Sequence, residues 1–262
     1  MEKILVMKTI FPKFKINSLT YLIFLSFLLT GFIKNILLIF LIVVVHELGH
    51  FFFLNYFSYE VEKIEIYPFG GVTTTNKYIN SPINKDLIIY FGGVFFQLLL
   101  FLVFYFLFKK NWIHDNTFSL FQMYNQSILF FNLLPIRPLD GGEILQLLLQ
   151  KWLPFYRSLV VMNYISCFFI GVFLLINIKC NLNNYIIVSF LIGKTLISFR
   201  DKNLIQNKFL LERYLHRFSY KKIEHNALQD TYVLKKETLH FFKNKEKYIH
   251  EKEFLKTKFE II

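Results

Sequence analysis

Val43-Val44-Val45-His46-Glu47-Leu48-Gly49-His50-Phe51-Phe52-Phe53 sets two imidazoles and a carboxylate in the middle of a run that is otherwise soluble in lipid. At 3.6 residues per helical turn, His46 and His50 fall on one face, where a ring nitrogen from each reaches one cation, and Glu47 lies beside them, placed to take a proton from water. This is the H-E-x-x-H spacing of zinc hydrolases. Its setting sharpens the reading, because an ionisable side chain inside a membrane helix costs on the order of 2.5–3.5 kcal/mol and such groups mark functional sites.

The rest of the chain supports a membrane setting. Over 262 residues the hydrophobic content is 55%, with only 18% charged, and the mean hydropathy is +0.43; a soluble globule of this length needs more polar surface. The fold expected is an all-α polytopic membrane protein, with about six transmembrane helices, a small β-hairpin at the membrane surface and a short cytoplasmic tail. The net charge of +12 is explained by the positive-inside rule and anionic headgroups, and no nucleic-acid motif accompanies it. Cys167 and Cys180 are too few and too far from the histidines for a disulfide framework or a thiolate metal site.

Outward from the motif, the N-terminus carries Lys3, Lys8, Lys13 and Lys15 ahead of an uncharged run from Ile16 to Ile33, expected as the first span. The second, Ile36 to about Tyr56, holds the histidine pair. A polar stretch from Ser58 to Lys85 follows, in which Val61-Glu62-Lys63-Ile64-Glu65-Ile66 alternates like a strand and Pro68-Phe69-Gly70-Gly71 is expected as a turn before Val72-Thr73-Thr74-Thr75. Leu87 to Phe108, uncharged and containing Gly92, Gly93 and Gln97, is the third span, and its Gly92-Gly93 pair permits close packing against the histidine helix.

Asn116 to about Leu134, the fourth span, is more polar, with Gln122, Asn125, Gln126 and Asn132, and it breaks at Pro135-Ile136-Arg137-Pro138-Leu139-Asp140-Gly141-Gly142. Two prolines and two glycines around an aspartate do not make a regular helix, and such backbone in a bilayer must be buried in protein or face a wet cavity. A short surface helix is expected from Glu143 to Trp152, then spans at Ser158 to Ile178 and about Tyr185 to Phe199. Lysine and arginine placement puts both termini in the cytoplasm and the histidine pair toward the cytoplasmic face. The domain division expected is a membrane part at 1–200 and a basic tail at 201–262, in which Leu210 to Leu215 is expected as helix and Thr231 to Leu234 and His240 to Phe242 as short strands. The tail histidines lack ligand spacing.

A catalytic zinc takes three protein ligands and keeps one position open. His46 and His50 supply two; among the carboxylates, Asp140 in the broken helix is the first candidate for the third and Glu143 its main rival. These residues carry a resemblance. His46-Glu47-Leu48-Gly49-His50 in one span, followed about 90 residues on by Asn132-Leu133-Leu134-Pro135-Ile136-Arg137-Pro138-Leu139-Asp140-Gly141-Gly142, resembles the site-2 protease family of intramembrane zinc metalloproteases, and within it the sporulation branch.

The resemblance implies a Zn2+ cofactor held by His46, His50 and Asp140, with Glu47 as catalytic base and acid. It implies cleavage of a membrane-associated protein near the cytoplasmic face, such as a sigma-factor precursor in sporulation, and inhibitory or regulatory membrane proteins as partners. An unwound substrate strand would add to the hairpin, with Gly70 and Gly71 admitting its backbone and Asn132 holding it or steadying the Asp140 loop. Members of the sporulation branch carry a nucleotide-sensing CBS domain at the C-terminus; the tail here is short, expected as a truncated or degenerate module of that kind. The competing expectations are a catalytically inactive scaffold or sensor of the same fold and a metal-ion transporter; the latter more often shows broken helices in two matching halves.

Overall fold

The computed structural model describes residues 13–16, 18, 20, 21, 25, 29–67, 70–176, 182–227, 230–244 and 247–259. In order these form β1 (Lys13–Ile16), α1 (Ile33–Tyr56), β2 (Val61–Tyr67), β3 (Gly70–Thr75), α2 (Ile83–Lys109), α3 (Asp115–Asn132), α4 (Asp140–Leu149), α5 (Phe155–Ile176), α6 (Leu182–Leu215), β4 (Lys222–Asn226), a 3-10 turn (Thr231–Val233), β5 (Thr238–Asn244), β6 (Lys247–His250) and α7 (Glu251–Phe259). The expected first span and the Pro68-Phe69 turn fall largely outside the described residues. Three of the described helices, Ile33–Tyr56, Ile83–Lys109 and Phe155–Leu175, are long and apolar enough to cross a membrane. The chain is mainly helical, with two small sheets, and divides into two compact units: Met1–Lys77 with Gly92–Ile128, and Tyr78–Phe91 with Leu129–Ile262.

In the first unit, α1 is built inside out relative to a soluble helix. Its polar side chains His46, Glu47 and His50 are buried, while Leu37, Leu41, Leu48 and Phe52 point outward from the protein, as a helix facing lipid requires. Leu38 and Ile42 pack with Phe121, and Phe104 stacks on Phe121 at 3.8 Å between ring centroids. At the start of the helix, Lys34 Nζ donates to Thr117 Oγ1 and Asn35 Nδ2 to Tyr124 Oη, each at 2.6 Å. Its other end closes when Ser58 turns to φ +59° and the Tyr59 N–H bonds back to the Leu54 carbonyl at 2.9 Å, satisfying an orphan acceptor of the last turn.

The expected hairpin is present as β2 and β3, antiparallel, with Ile64 opposite Thr73 and Tyr67 opposite Gly70. Gly70 and Gly71 are strand residues of β3 rather than part of the turn. A register shift between Val61 and Lys63 lets Val61 and Ile64, three apart, both be buried, as a bulge does by adding one residue to a period of two. A third strand extends the sheet: β1 pairs parallel to β2, Lys13 opposite Lys63 through Ile16 opposite Ile66. Strand order β1-β2-β3 leaves β3 at an edge.

In the second unit the helix break spans Leu133 to Leu139, and Asp140, Gly141 and Gly142 form the first turn of α4 rather than lying within the irregular stretch. The chain doubles back tightly enough that a methyl group on Gly141 would lie 2.2 Å from the Leu133 carbonyl oxygen, so only glycine fits. The expected tail boundary at 200–201 falls inside α6, which runs unbroken to Leu215. Beyond it stands a sheet not anticipated as such: β4 parallel to β5, and β5 antiparallel to β6. The segment Thr231–Val233 is a 3-10 turn and not a strand, while the strand expected at His240 to Phe242 lies within β5.

Leu210, Leu234, Phe242 and Leu255 form its core with Phe155, Leu159 and Phe209. Through that core runs Arg213, fully buried and forked onto Glu251, with Nη2 to Oε2 at 2.7 Å, and its Nη1 donates to the Lys235 carbonyl at 2.7 Å. The tail also grips residues before and at the start of α2. Asn80 Nδ2 donates to Glu212 Oε2 at 3.1 Å, Glu237 Oε1 accepts from the Ile83 N–H at 3.1 Å, and buried Lys236 pairs with Asp86 at 2.8 Å.

Candidate active site

His46 and His50 stand one turn apart on α1, so their rings meet on the buried face. Their Nε2 atoms are 3.2 Å apart, and the rings are nearly perpendicular, 80° between planes. A donor nitrogen of each histidine and a carboxylate oxygen of Glu47 all lie within 4.8 Å of one another. Two nitrogens, each about 2.0–2.1 Å from a tetrahedral ion, are about 3.3 Å apart. The observed separation therefore fits a zinc ion bound by both rings.

What brings the rings together is the contact between α1 and α2. A methyl on Gly49 would lie 2.2 Å from the Gly92 carbonyl oxygen, and one on Gly93 would lie 2.5 Å from His50 Nε2 and 2.6 Å from His46 Nε2. Glycine at these positions lets the backbones touch and keeps the space beside the two nitrogens open. One turn beyond Gly93, on the same face of α2, Gln97 Oε1 lies 3.1 Å from His46 Nδ1 and Gln97 Nε2 donates to the Asn125 carbonyl of α3 at 2.8 Å. Gln97 is fully buried. On the other side, Thr73 of the edge strand β3 places its hydroxyl 3.5 Å from Glu47 Oε2.

Of the residues singled out from sequence, the structure brings His46, Glu47 and His50 together. Gly70 and Gly71 open the strand that carries Thr73. Asp140 and Asn132 belong to the second unit: Asp140 is the half-buried first residue of α4, and Asn132 the last of α3. Glu143, the rival ligand, accepts a hydrogen bond from Arg137 Nε at 2.9 Å. Arg137 is held in turn through its backbone N–H, which donates to Ser166 Oγ at 3.1 Å.

Sequence reasoning passed over Gln97 and Thr73. An amide in an otherwise apolar span, one turn from the glycine that faces the histidines, was the available signal for Gln97. Thr73 carried none, because the bulge in β2 sets which residues of the hairpin face α1.

An H-E-x-x-H helix with its polar face buried among apolar helices defines the membrane metalloprotease class. Comparison with known proteins places the chain within that class: the family model for peptidase family M50 matches residues 34–112 and 108–178, and the chain belongs to this family, that of the site-2 proteases. It is 36% identical to stage IV sporulation protein FB of Bacillus subtilis over 190 residues, 71% of this chain and 66% of that protein. It is 32% identical to the zinc metalloprotease MJ0392 of Methanocaldococcus jannaschii over 47% of this chain and 36% of that protein. The chain thus spans less than two thirds of these relatives' lengths. Among solved structures, the site-2 protease from Methanocaldococcus jannaschii superposes with a TM-score of 0.56 at 24% identity, covering 76% of this chain and 93% of that one, a likeness of fold.

Proposed function

We propose that the protein is an intramembrane zinc endopeptidase that cuts a membrane-associated protein near the cytoplasmic face. The observation that carries this is the convergence of His46 and His50 Nε2 at 3.2 Å with Glu47 alongside, all three buried on an apolar helix. His46, His50 and Asp140 hold the metal in this reading. When bound, zinc polarises the scissile carbonyl and lowers the pKa of water toward neutrality.

The protein's own groups supply the remaining steps. Glu47 takes a proton from the attacking water as the new C–O bond forms, then delivers it to the amide nitrogen as the C–N bond breaks, leaving a carboxylate and an amine. Thr73, at hydrogen-bonding range of Glu47, holds that carboxylate in line. An unwound substrate segment adds to the outer edge of β3, Gly70 and Gly71 admitting its backbone. Asn132, which ends α3 where the break toward Asp140 begins, holds the substrate backbone or steadies that loop.

The wider reading is of six spans, both termini cytoplasmic, with residues 1–200 a transmembrane zinc metalloprotease domain and 201–262 a basic cytoplasmic tail, a truncated or degenerate CBS-like module. Likeness to a sporulation protein supports a role in sporulation; in this reading the substrate is a sigma-factor precursor, and membrane proteins act as inhibitors or regulators. The test is to replace Glu47 by Gln in the source cell and sequence the N-termini of membrane-associated proteins. One or more should accumulate uncut, with the new N-terminus of the wild-type product mapping to a membrane-proximal segment. An unchanged set of N-termini would contradict the proposal.

A further inference from the structure

The buried amide of Gln97 reaches a histidine on one side and a backbone carbonyl on the other, and these two contacts together determine where a proton lies. The Asn125 carbonyl can only accept, so the Gln97 NH2 must face it, as the 2.8 Å contact requires. The Gln97 carbonyl oxygen therefore faces His46 Nδ1 at 3.1 Å. An amide oxygen only accepts, so Nδ1 carries the hydrogen. In the neutral ring the other nitrogen, Nε2, then keeps its lone pair, and it lies 3.2 Å from His50 Nε2.

We propose that Gln97 is the positioning residue that selects the Nδ1–H tautomer of His46 and so presents Nε2 for metal, an inference that rests on the zinc reading of this site. A free imidazole exchanges between two tautomers and rotates about two bonds. At residue 46 the helix fixes the backbone, Gly93 leaves room on the metal side of the ring, and Gln97 fixes the other side. Because Gln97 is tied to the Asn125 carbonyl, α3 sets the orientation of a ligand on α1 without itself supplying a ligand.

The test uses the full chain purified in detergent and stripped of metal, as wild type, Gln97→Met and Gln97→Glu. Methionine keeps the length and loses the acceptor; glutamate keeps an acceptor toward His46, and its acid proton can serve the Asn125 carbonyl. Zinc affinity is read by competition with a chromophoric chelator, and the His46 tautomer from the nitrogen-15 spectrum of the apoprotein with labelled histidine. Gln97→Met should bind zinc about 10–100-fold more weakly and give a mixture of tautomers, whereas Gln97→Glu should stay close to wild type in both. Wild-type affinity in Gln97→Met, or a Gln97→Glu variant as weak as Gln97→Met, would overturn the inference. Failure of wild type itself to bind zinc would instead overturn the metal reading, and the tautomer spectrum would still report on Gln97.

Discussion

Replacing Gly93 by Ala adds a single methyl group to the protein, at the point where α2 faces both imidazoles. That methyl would lie 2.5 Å from His50 Nε2, 2.6 Å from His46 Nε2 and 2.7 Å from His46 Cε1. Ordinary contact between such atoms is about 3.5 Å, so the overlap approaches about 1 Å. The helices cannot absorb it by sliding together elsewhere, since Gly49 already touches Gly92. Either α1 and α2 part or both imidazoles swing away, and His46 can swing only by leaving Gln97.

Overpacking of this kind costs about 1–3 kcal/mol in stability. The loss at the metal site is larger in proportion, because both ligands move, and zinc affinity should fall at least about 100-fold, or about 2.7 kcal/mol. The assay is zinc competition on detergent-purified protein, with thermal unfolding in chelator measured in parallel to report damage to the fold. Gly171→Ala is the control, since a methyl there meets nothing within 4 Å. A Gly93→Ala protein that binds zinc like wild type would refute the geometry of the site.

Three other outcomes follow from particular contacts. Lys236→Met removes the buried cation from the Asp86 carboxylate, whose side chain is 3% exposed and keeps the Ser81 hydroxyl at 2.7 Å, and should cost about 3–5 kcal/mol by thermal unfolding; Asp86→Asn in the same chain should recover most of it. Burial, then the Arg213 guanidinium, lowers the pKa of His240 from 6.5 to about 4. The unfolded chain therefore takes up a proton on acidification through that window while the folded one does not, so stability should fall by about 3 kcal/mol between pH 6.5 and 4. Hydrogen exchange across β4 to β6 reads this, and His240→Gln should remove the slope. Asp140→Asn should weaken zinc binding while leaving the thermal transition of the metal-free protein near that of wild type.

The helix α1 and its ligands were legible because periodicity and chemistry agreed: an apolar run, broken only by groups spaced one turn apart. The helix break was legible from Pro135 and Pro138, but its end was not. Asp140 opens α4 because an acidic residue suits a helix N-terminus, and Gly141 and Gly142 are there for close packing against Leu133 and Ile136, not for a turn. Lys13-Phe14-Lys15-Ile16 alternates with period two, yet the lysines invited reading as a basic flank.

The tail sheet was hidden for a different reason. The inward face of β5 carries Thr238, His240 and Phe242, two of them polar, and the burial of their side chains is made tolerable by the Lys236 carbonyl, the Lys235 N–H and the Asn226 side chain, partners that strand alternation does not reveal. Gln97 shows the same limit. Its residue type was visible, but its role depends on a carbonyl 28 residues away.

Glu47→Gln separates proton transfer at a zinc site held by His46 and His50 from the assembly of that site. Wild type and Glu47→Gln, reconstituted in lipid vesicles, are compared for zinc content and for cleavage of the membrane protein that accumulates uncut in cells. Both should hold equal zinc; cleavage by wild type should stop on chelation and return with zinc, and Glu47→Gln should not cleave. Cleavage by Glu47→Gln at the wild-type rate, or cleavage by wild type that persists after all metal is removed, would contradict a zinc site worked by Glu47.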